Sequence, residues 1–269
     1  MSQQTNWVPI SVDLKKPSAA RMYDYLLGGN HNFAADREFI ERLIQIQPEA
    51  KRLAIMNRAF LRRAVLFMIE NGIRQFLDLG SGIPTVGNVH EIAEAADPTA
   101  RVVYVDNEHV AVAHSQLILE GKENAVIVHA DVTRPGLVLH DEETLRVLDF
   151  SQPVGLLAVT IGHYILDEQD PVGVFAAYRE ALAPGSYLAV THLTDDFAVI
   201  HGEALTREMK QSQNNVRARS RDEVLALFGD FELLEPGLVT TSRWHPERGA
   251  ELPEDPEKDG LYAGVARKG

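Results

Sequence analysis

Three aspartates, Asp78, Asp106 and Asp131, each close a short apolar run, and the chain changes direction directly after each. The first run, Phe76-Leu77-Asp78-Leu79, leads at once into Gly80-Ser81-Gly82-Ile83-Pro84-Thr85. Glycine has no Cβ, so Gly80 and Gly82 permit positive φ and let a ligand touch the backbone. A carboxylate at the carboxyl end of a buried strand sits where open α/β sheets bind ligands. Asp78 would repel a pyrophosphate there and suits a ligand that offers a cationic amine and a sulfonium. Pro84 stands where a G-x-G-x-G turn has its third glycine. It removes an amide donor and fixes φ, so the Thr85 hydroxyl is expected to contact the ligand in its place. Asp106 lies one βαβ unit later, where a carboxylate can accept from both hydroxyls of a ribose. Asn107 adjoins it and joins the expected binding set, with Ser81 from the glycine turn. Asp131 can accept from an adenine amino group while the Val132 amide donates to a ring nitrogen. Any one of these aspartates alone could be a solvated or helix-capping residue; three successive strand ends are a much stronger pattern.

The fourth apolar run ends Val159-Thr160-Ile161-Gly162-His163-Tyr164. In a site of this geometry, that end faces the transferable group. Thr160 is expected against the ligand. His163 is a candidate general base or orienting group near neutral pH, against the plainer reading of a packed loop histidine. His192, in Thr191-His192-Leu193, is a second catalytic candidate. The other histidines are scattered without metal-ligand spacing, and Asp195-Asp196 fits a solvated turn better than a metal clamp. The chain has no cysteine, which excludes disulfides, thiolate metal sites and a Cys nucleophile.

Positioning these groups requires alternating strands and helices. The pattern predicts helices over Asp36–Ile46, Lys51–Asn71, Asn88–Ala96 and Glu108–Leu119. Predicted strands are Phe76–Leu79, Arg101–Val105, Ala125–His129, Val154–Thr160 and Tyr187–Thr191. Asp170-Pro171 caps a helix to Leu182, and Ser220 opens another to Phe228. A polar stretch over Glu203–Gln213 is expected to be helical. Late strands are expected at Phe231–Leu234, Leu238–Thr241 and Tyr262–Arg267, with a long surface loop before the last. The 269 residues carry a formal net charge of -13, which argues against a nucleic-acid partner. The N-terminus lacks a signal-peptide core, and no run approaches the ~18 apolar residues of a membrane span. A cytoplasmic protein is expected, with no membrane partner; the oligomeric state is not readable.

The glycine turn and the aspartate at each strand end resemble the class I S-adenosylmethionine-dependent methyltransferases. The run Pro17-Ser18-Ala19-Ala20-Arg21-Met22-Tyr23-Asp24-Tyr25-Leu26-Leu27-Gly28-Gly29-Asn30-His31-Asn32-Phe33-Ala34-Ala35-Asp36, with Asn57-Arg58-Ala59-Phe60-Leu61 and Gln75-Phe76-Leu77-Asp78, narrows the likeness. It resembles a bacterial methyltransferase family formerly labelled a domain of unknown function, over nearly the whole chain from residue 17. The expected fold is α/β, a doubly wound, seven-stranded Rossmann-like sheet with an N-terminal helical extension. Residues 1–16 would form an irregular tail and 17–269 one domain, divided into a flap and extension (17–72) and a core (73–269).

Within residues 21–33, a cation, aromatics and the Gly28-Gly29 joint suit a flap that folds over a ligand, against the plainer reading of a helix packed on the sheet. Arg21 would pair with the methionine carboxylate of the cofactor, and Tyr23 would line the transfer face. The expected activity is methylation of a small-molecule acceptor with S-adenosylmethionine as cofactor. Two alternatives stand beside it: an S-adenosylmethionine-binding sensor or partner protein without turnover, and an NAD-dependent oxidoreductase. The latter leaves Asp78, Asp131 and the missing third glycine unexplained.

Overall fold

The computed structural model describes residues 13–84, 87–197, 202–247, 249, 251 and 253–269. It opens with a helical hook of α1 (Ala19–Leu26) and α2 (Ala34–Ile46). The Ser18 hydroxyl caps α1 by accepting from the Arg21 amide. Between the helices, Gly28 adopts φ +81, and a Cβ on Gly29 would strike the Asp24 carboxylate. Asp24 Oδ2 accepts from the His31 amide and the Asn32 side chain, both at 2.8 Å. The two glycines therefore serve a tight turn around a buried carboxylate, where the sequence alone implies a joint.

α3 (Ala50–Glu70) buries Ala54, Asn57, Leu61, Ala64, Val65 and Met68, the three-to-four spacing of one helix face. Gly72, at φ +93, ends it in the left-handed conformation that suits glycine. Alternation follows through β1 (Gln75–Leu79), α4 (Val89–Ala96), β2 (Arg101–Asp106), α5 (His109–Ile118) and β3 (Ala125–His129). Two short helices that the sequence pattern does not reveal come next, α6 (Pro135–Leu139) and α7 (Glu142–Val147). Each starts from a local signal, Pro135 in the first turn and the Asp141 side chain as cap, but each is too short to show an apolar period. β4 (Gly155–Val159), α8 (Pro171–Ala181), β5 (Tyr187–Leu193), α9 (Gly202–Met209) and α10 (Arg221–Phe228) complete the alternation. The chain ends in β6 (Glu232–Leu233), β7 (Val239–Thr240) and β8 (Leu261–Arg267).

The strands form one sheet in the order β3-β2-β1-β4-β5-β8-β6, with β7 beside β8 off this path. The sheet thus has eight strands, one more than the seven that the family resemblance implies; the strand expected over Leu238–Thr241 is the two-residue β7. β1 to β5 run parallel, so their carboxyl ends share one edge, and β8 is antiparallel to β5. All five residues of β1 and of β4 are buried, as expected for central strands covered on both faces. Leu77, Val103, Leu156 and Leu188 face one core with α8 and α10; Phe76, Val102, Leu157 and Ala189 face the other with α3 and α4. A third cluster joins Met22, Phe39, Ile40 and Leu43 of the hook to Leu205 and Met209 of α9.

The connection before β8 is not the surface loop expected. Trp244 is fully buried against Phe60 and Phe67. Arg63 of α3 donates to the carbonyls of Trp244 at 3.0 Å and Thr241 at 2.6 Å. Buried Asp259 pairs with Arg52 at 3.1 Å and accepts from the Ser242 amide at 2.8 Å.

The hook is fixed by charge. The Arg21 guanidinium is wholly buried and contacts Asp36 at 2.8 Å, Glu108 at 2.8 Å and the Lys16 carbonyl at 2.6 Å. Removing one member of a buried pair strands the other charge, at a cost of about 3–5 kcal/mol. Arg21→Ala should therefore lower urea unfolding stability by that order. A loss under about 1 kcal/mol, the value of a surface pair, would show that these contacts do not hold the hook.

Candidate active site

The parallel strands bring Asp78, Asp106 and Asp131 to one edge of the sheet. The glycine turn folds across β2: the Gly80 and Ser81 amides donate to the Val105 carbonyl at 2.8 and 3.1 Å. Gly80 has φ +67, and a Cβ there would lie 2.4 Å from the Ile161 side chain, so both conformation and space demand glycine. Gly82, at φ +66, donates its amide to Asp106 Oδ2 at 2.7 Å. Asp106 Oδ1 accepts from the Glu108 amide at 2.8 Å. Asp131 Oδ1 accepts from the Thr133 amide and hydroxyl at 2.9 and 2.8 Å. Tyr178 steadies the next residue by donating to the Val132 carbonyl at 2.9 Å.

This edge is electrostatically costly. Burial raises the Asp78 pKa to about 7, with Arg58 opposing and Asp106 adding to the rise. Burial likewise raises Asp106 to about 6, against the backbone amides of Glu108 and Gly82. The Ser81 hydroxyl oxygen is buried with no hydrogen-bond partner among the described residues.

At the end of β4, Thr160 adopts φ 58, a left-handed conformation unusual for a β-branched residue and a mark of functional strain. Its amide donates to Thr191 Oγ1 at 2.9 Å and its hydroxyl to the Val159 carbonyl at 2.7 Å. A single helical turn, Gly162–Tyr164, then carries His163. Arg219, itself buried, clamps this turn by donating to the carbonyls of Gly162 at 3.1 Å and Ile165 at 2.9 Å and pairing with Asp167 at 2.8 Å. Burial, then the neighbouring His192 and Arg219, hold the His163 pKa well below its ordinary value, so the ring is neutral at pH 7. No hydrogen bond to that ring is found among the described residues, and its Nδ1 is sealed.

A cavity of about 730 Å³ joins these groups. Asp78, Gly80, Ser81, Gly82, Asp106, Asn107, Asp131, Val132, Thr160 and His163 all line it. Tyr23 lines it too, its hydroxyl donating to the Ala54 carbonyl at 3.1 Å and accepting from Asn57 at 2.8 Å. Thr85 lies outside the described residues.

Two expectations are corrected. Arg21 does not line the cavity; its guanidinium is consumed by Asp36, Glu108 and Lys16. His192 does not line it either. The antiparallel partner β8 extends β5 beyond Thr191, pairing His192 with Tyr262, so the residue is fully buried inside the sheet and not on a loop past it. Its Nδ1 donates to the Leu193 carbonyl at 2.7 Å and its Nε2 accepts from Arg219 at 3.0 Å.

Sequence reasoning also gave no role to Asn57 and Arg58. Asn57 Oδ1 accepts from Thr191 at 2.7 Å while its amide reaches Tyr23, tying α1, α3 and β5 together around the cavity. The available signal was a polar residue in the apolar stripe of α3. Arg58 lines the cavity and is the cation that bears on Asp78.

A glycine turn and aspartates on successive parallel strand ends, in this sheet, define a class I methyltransferase fold. The chain belongs to the S-adenosyl methyltransferase family, whose profile matches residues 5–269. It is therefore an S-adenosylmethionine-dependent methyltransferase, which sets aside the NAD-dependent alternative. It is 41% identical to a candidate methyltransferase from Thermobifida fusca YX, covering 98% of this chain and 99% of that one, at a TM-score of 0.90. A DUF574 family protein from Streptomyces avermitilis MA-4680 is 36% identical over 96% of this chain and 99% of its own, at a TM-score of 0.88. The likeness to the pyocyanin biosynthetic protein PhzM is one of fold: 20% identity, 92% of this chain and 62% of that one, TM-score 0.51. No curated protein matches the chain.

Because its folded pKa is raised to about 7, Asp78 holds its proton in the folded state at pH values where the unfolded chain releases it. Stability measured without added ligand is lost as pH rises from the unfolded value toward 7. Asp78→Asn should consequently be more stable than the parent at pH 8, by roughly 3–4 kcal/mol as an upper value. That advantage should fade toward about pH 4. Thermal unfolding across this range checks it; an advantage that does not vary with pH would refute the burial of an ionisable Asp78.

Proposed function

We propose that the chain methylates a small molecule held inside the cavity. The supporting observation is the apolar wall built beside the strand ends. Beyond the strand ends, the cavity is walled by Met22 of α1, Ile40 of α2, Leu53 of α3, Met209 of α9 and Leu261 of β8. The segment after α9 is laced to the start of α1: the Gln213 amide donates to the Pro17 carbonyl at 2.9 Å, and the Ala19 amide to Asn214 at 3.0 Å. These walls suit an acceptor that fits between them, and the volume is that of a small-molecule site.

The strand-end residues fit S-adenosylmethionine. Asp106 keeps lone pairs for two ribose hydroxyls, since its protein partners occupy only one on each oxygen. Asp131 Oδ2 and the Val132 amide form an edge for adenine, with Asn107 alongside. Asp78 receives the ammonium, and Arg58 takes the carboxylate role that the sequence offers to Arg21. The orphaned Ser81 hydroxyl and the Gly80 and Gly82 backbone lie against the amino-acid portion.

When bound, the cofactor supplies an electrophilic methyl group. The chain's own contribution is alignment and exclusion of water, and holding two reactants in line supplies several kcal/mol of barrier reduction. Thr160, fixed by Thr191, and Tyr23, fixed by Asn57 and Ala54, shape the passage between the halves of the cavity. Neutral His163 accepts the acceptor's proton.

Two measurements test this reading. A cell extract split by ultrafiltration, incubated with the protein and methyl-labelled cofactor, should carry label in its small-molecule fraction. Label confined to macromolecules would contradict the proposal, and binding without formation of S-adenosylhomocysteine would favour the sensor alternative. Arg58→Ala should weaken S-adenosylhomocysteine at least tenfold, the loss of a charged hydrogen bond of about 1.5–3 kcal/mol, while exposed Arg62→Ala leaves it unchanged.

A further inference from the structure

The geometry points to an acceptor with an uncharged, apolar body and one hydroxyl, seated between α1, α2, α9 and the β5 and β8 ends; this rests on the small-molecule reading above. The walls there include Leu26, Ile40, Leu43, Leu193, Met209 and Leu261. Among the described residues, the Asp, Glu, Lys and Arg residues that line the cavity are Asp13, Lys16, Arg58, Asp78, Asp106, Glu108 and Asp131, and none of these comes from those five elements. The charged groups nearest this half, Asp13 and Lys16 just before α1, are exposed, so a charged acceptor would lack a buried counter-ion there, and an uncompensated buried charge is strongly disfavoured.

Two neutral polar groups mark the boundary with the cofactor half. His163 and Tyr164 both line the cavity, with ring centroids 4.5 Å apart. The Tyr164 hydroxyl and the His163 ring have no hydrogen-bond partner among the described residues, and with Nδ1 sealed, Nε2 is the nitrogen left to the cavity. Burial raises Tyr164 and lowers His163, so one stays a donor and the other an acceptor near pH 7. A hydroxyl satisfies both, accepting from Tyr164 and donating to His163. An ammonium has no lone pair for Tyr164. A carboxylate has no proton for His163.

The reaction balances on these groups. The acceptor oxygen forms a bond to the methyl carbon and the carbon–sulfur bond breaks with its electron pair left on sulfur. The hydroxyl proton passes to His163 Nε2. The products are a methyl ether, S-adenosylhomocysteine and protonated His163, which returns its proton to water.

Calorimetry on the full chain saturated with S-adenosylhomocysteine tests the assignment, with 2-naphthol, 2-naphthoate and 2-naphthylmethylammonium as probes of one shape. The naphthol should bind at least about tenfold tighter than either ion. Met209→Glu, which adds a charge to the apolar wall, should weaken the naphthol by at least about tenfold while S-adenosylhomocysteine affinity, which reports an intact fold, holds. Tyr164→Phe should remove most of the preference for 2-naphthol over 2-methylnaphthalene. Ions binding as tightly as the naphthol, or naphthol affinity indifferent to both substitutions, would overturn the assignment while leaving the cofactor reading intact. Failure of S-adenosylhomocysteine itself to bind would overturn that reading, and this one with it.

Discussion

Asp78 and Asp106 lie buried on adjacent strands at one edge of the sheet, and burial raises their pKa values to about 7 and about 6. Water would solvate such groups more cheaply than this interior does, so ionising them here carries an electrostatic cost. A ligand that brings an ammonium to Asp78 and hydroxyls to Asp106 relieves it. Much of the local architecture follows from that constraint. The glycine turn brings an amide to Asp106, the Glu108 amide adds a second, and Arg58 supplies the opposing cation. A residue that breaks ordinary backbone preferences lies here as well, Thr160, held left-handed by its bonds to Thr191 and Val159.

The N-terminal hook lines one side of this edge and deepens it into a cavity. Its buried charges are all partnered: Arg21 pairs with Asp36 of the hook and Glu108 of the core, and Asp24 accepts from the loop amide of His31 and the Asn32 side chain. Its apolar face is left for the cavity and for α9. Glu108 links the two halves, since it caps α5 directly after the Asp106 strand end and also holds Arg21. Asn57 performs the same joining function on the transfer side, through Tyr23 and Thr191.

The strand ends were legible because a parallel strand buried on both faces is an unbroken apolar run, and an aspartate ending it stands out. β3 agrees at both ends, Ala125–His129. Side-chain destinations were less legible. Arg21 meets partners 15 and 87 residues away, and no local pattern says that its charge will be spent on them and not on a ligand. His192 looked like a loop residue because the antiparallel pairing that lengthens β5 comes from β8, some seventy residues later. The segment holding Trp244 and Asp259 looked peripheral from its Pro and Glu content, although Arg52 and Arg63 of α3 anchor it. Arginines on the polar side of a helical pattern leave no trace of a carbonyl that will meet them.

The pH dependence of S-adenosylhomocysteine affinity tests the role of buried charge most directly. An ammonium beside Asp78 favours the ionised carboxylate, so the protein must release a proton on binding wherever Asp78 is protonated in the free state. Calorimetry should show affinity climbing with pH by up to about tenfold per unit below about 7 and levelling above it, with matching proton release. Asp78→Asn should bind weakly with a flat profile. A parent protein whose affinity stays flat from about pH 5.5 to 8, with no proton released, would contradict a cofactor amine paired with a buried, half-titrated Asp78.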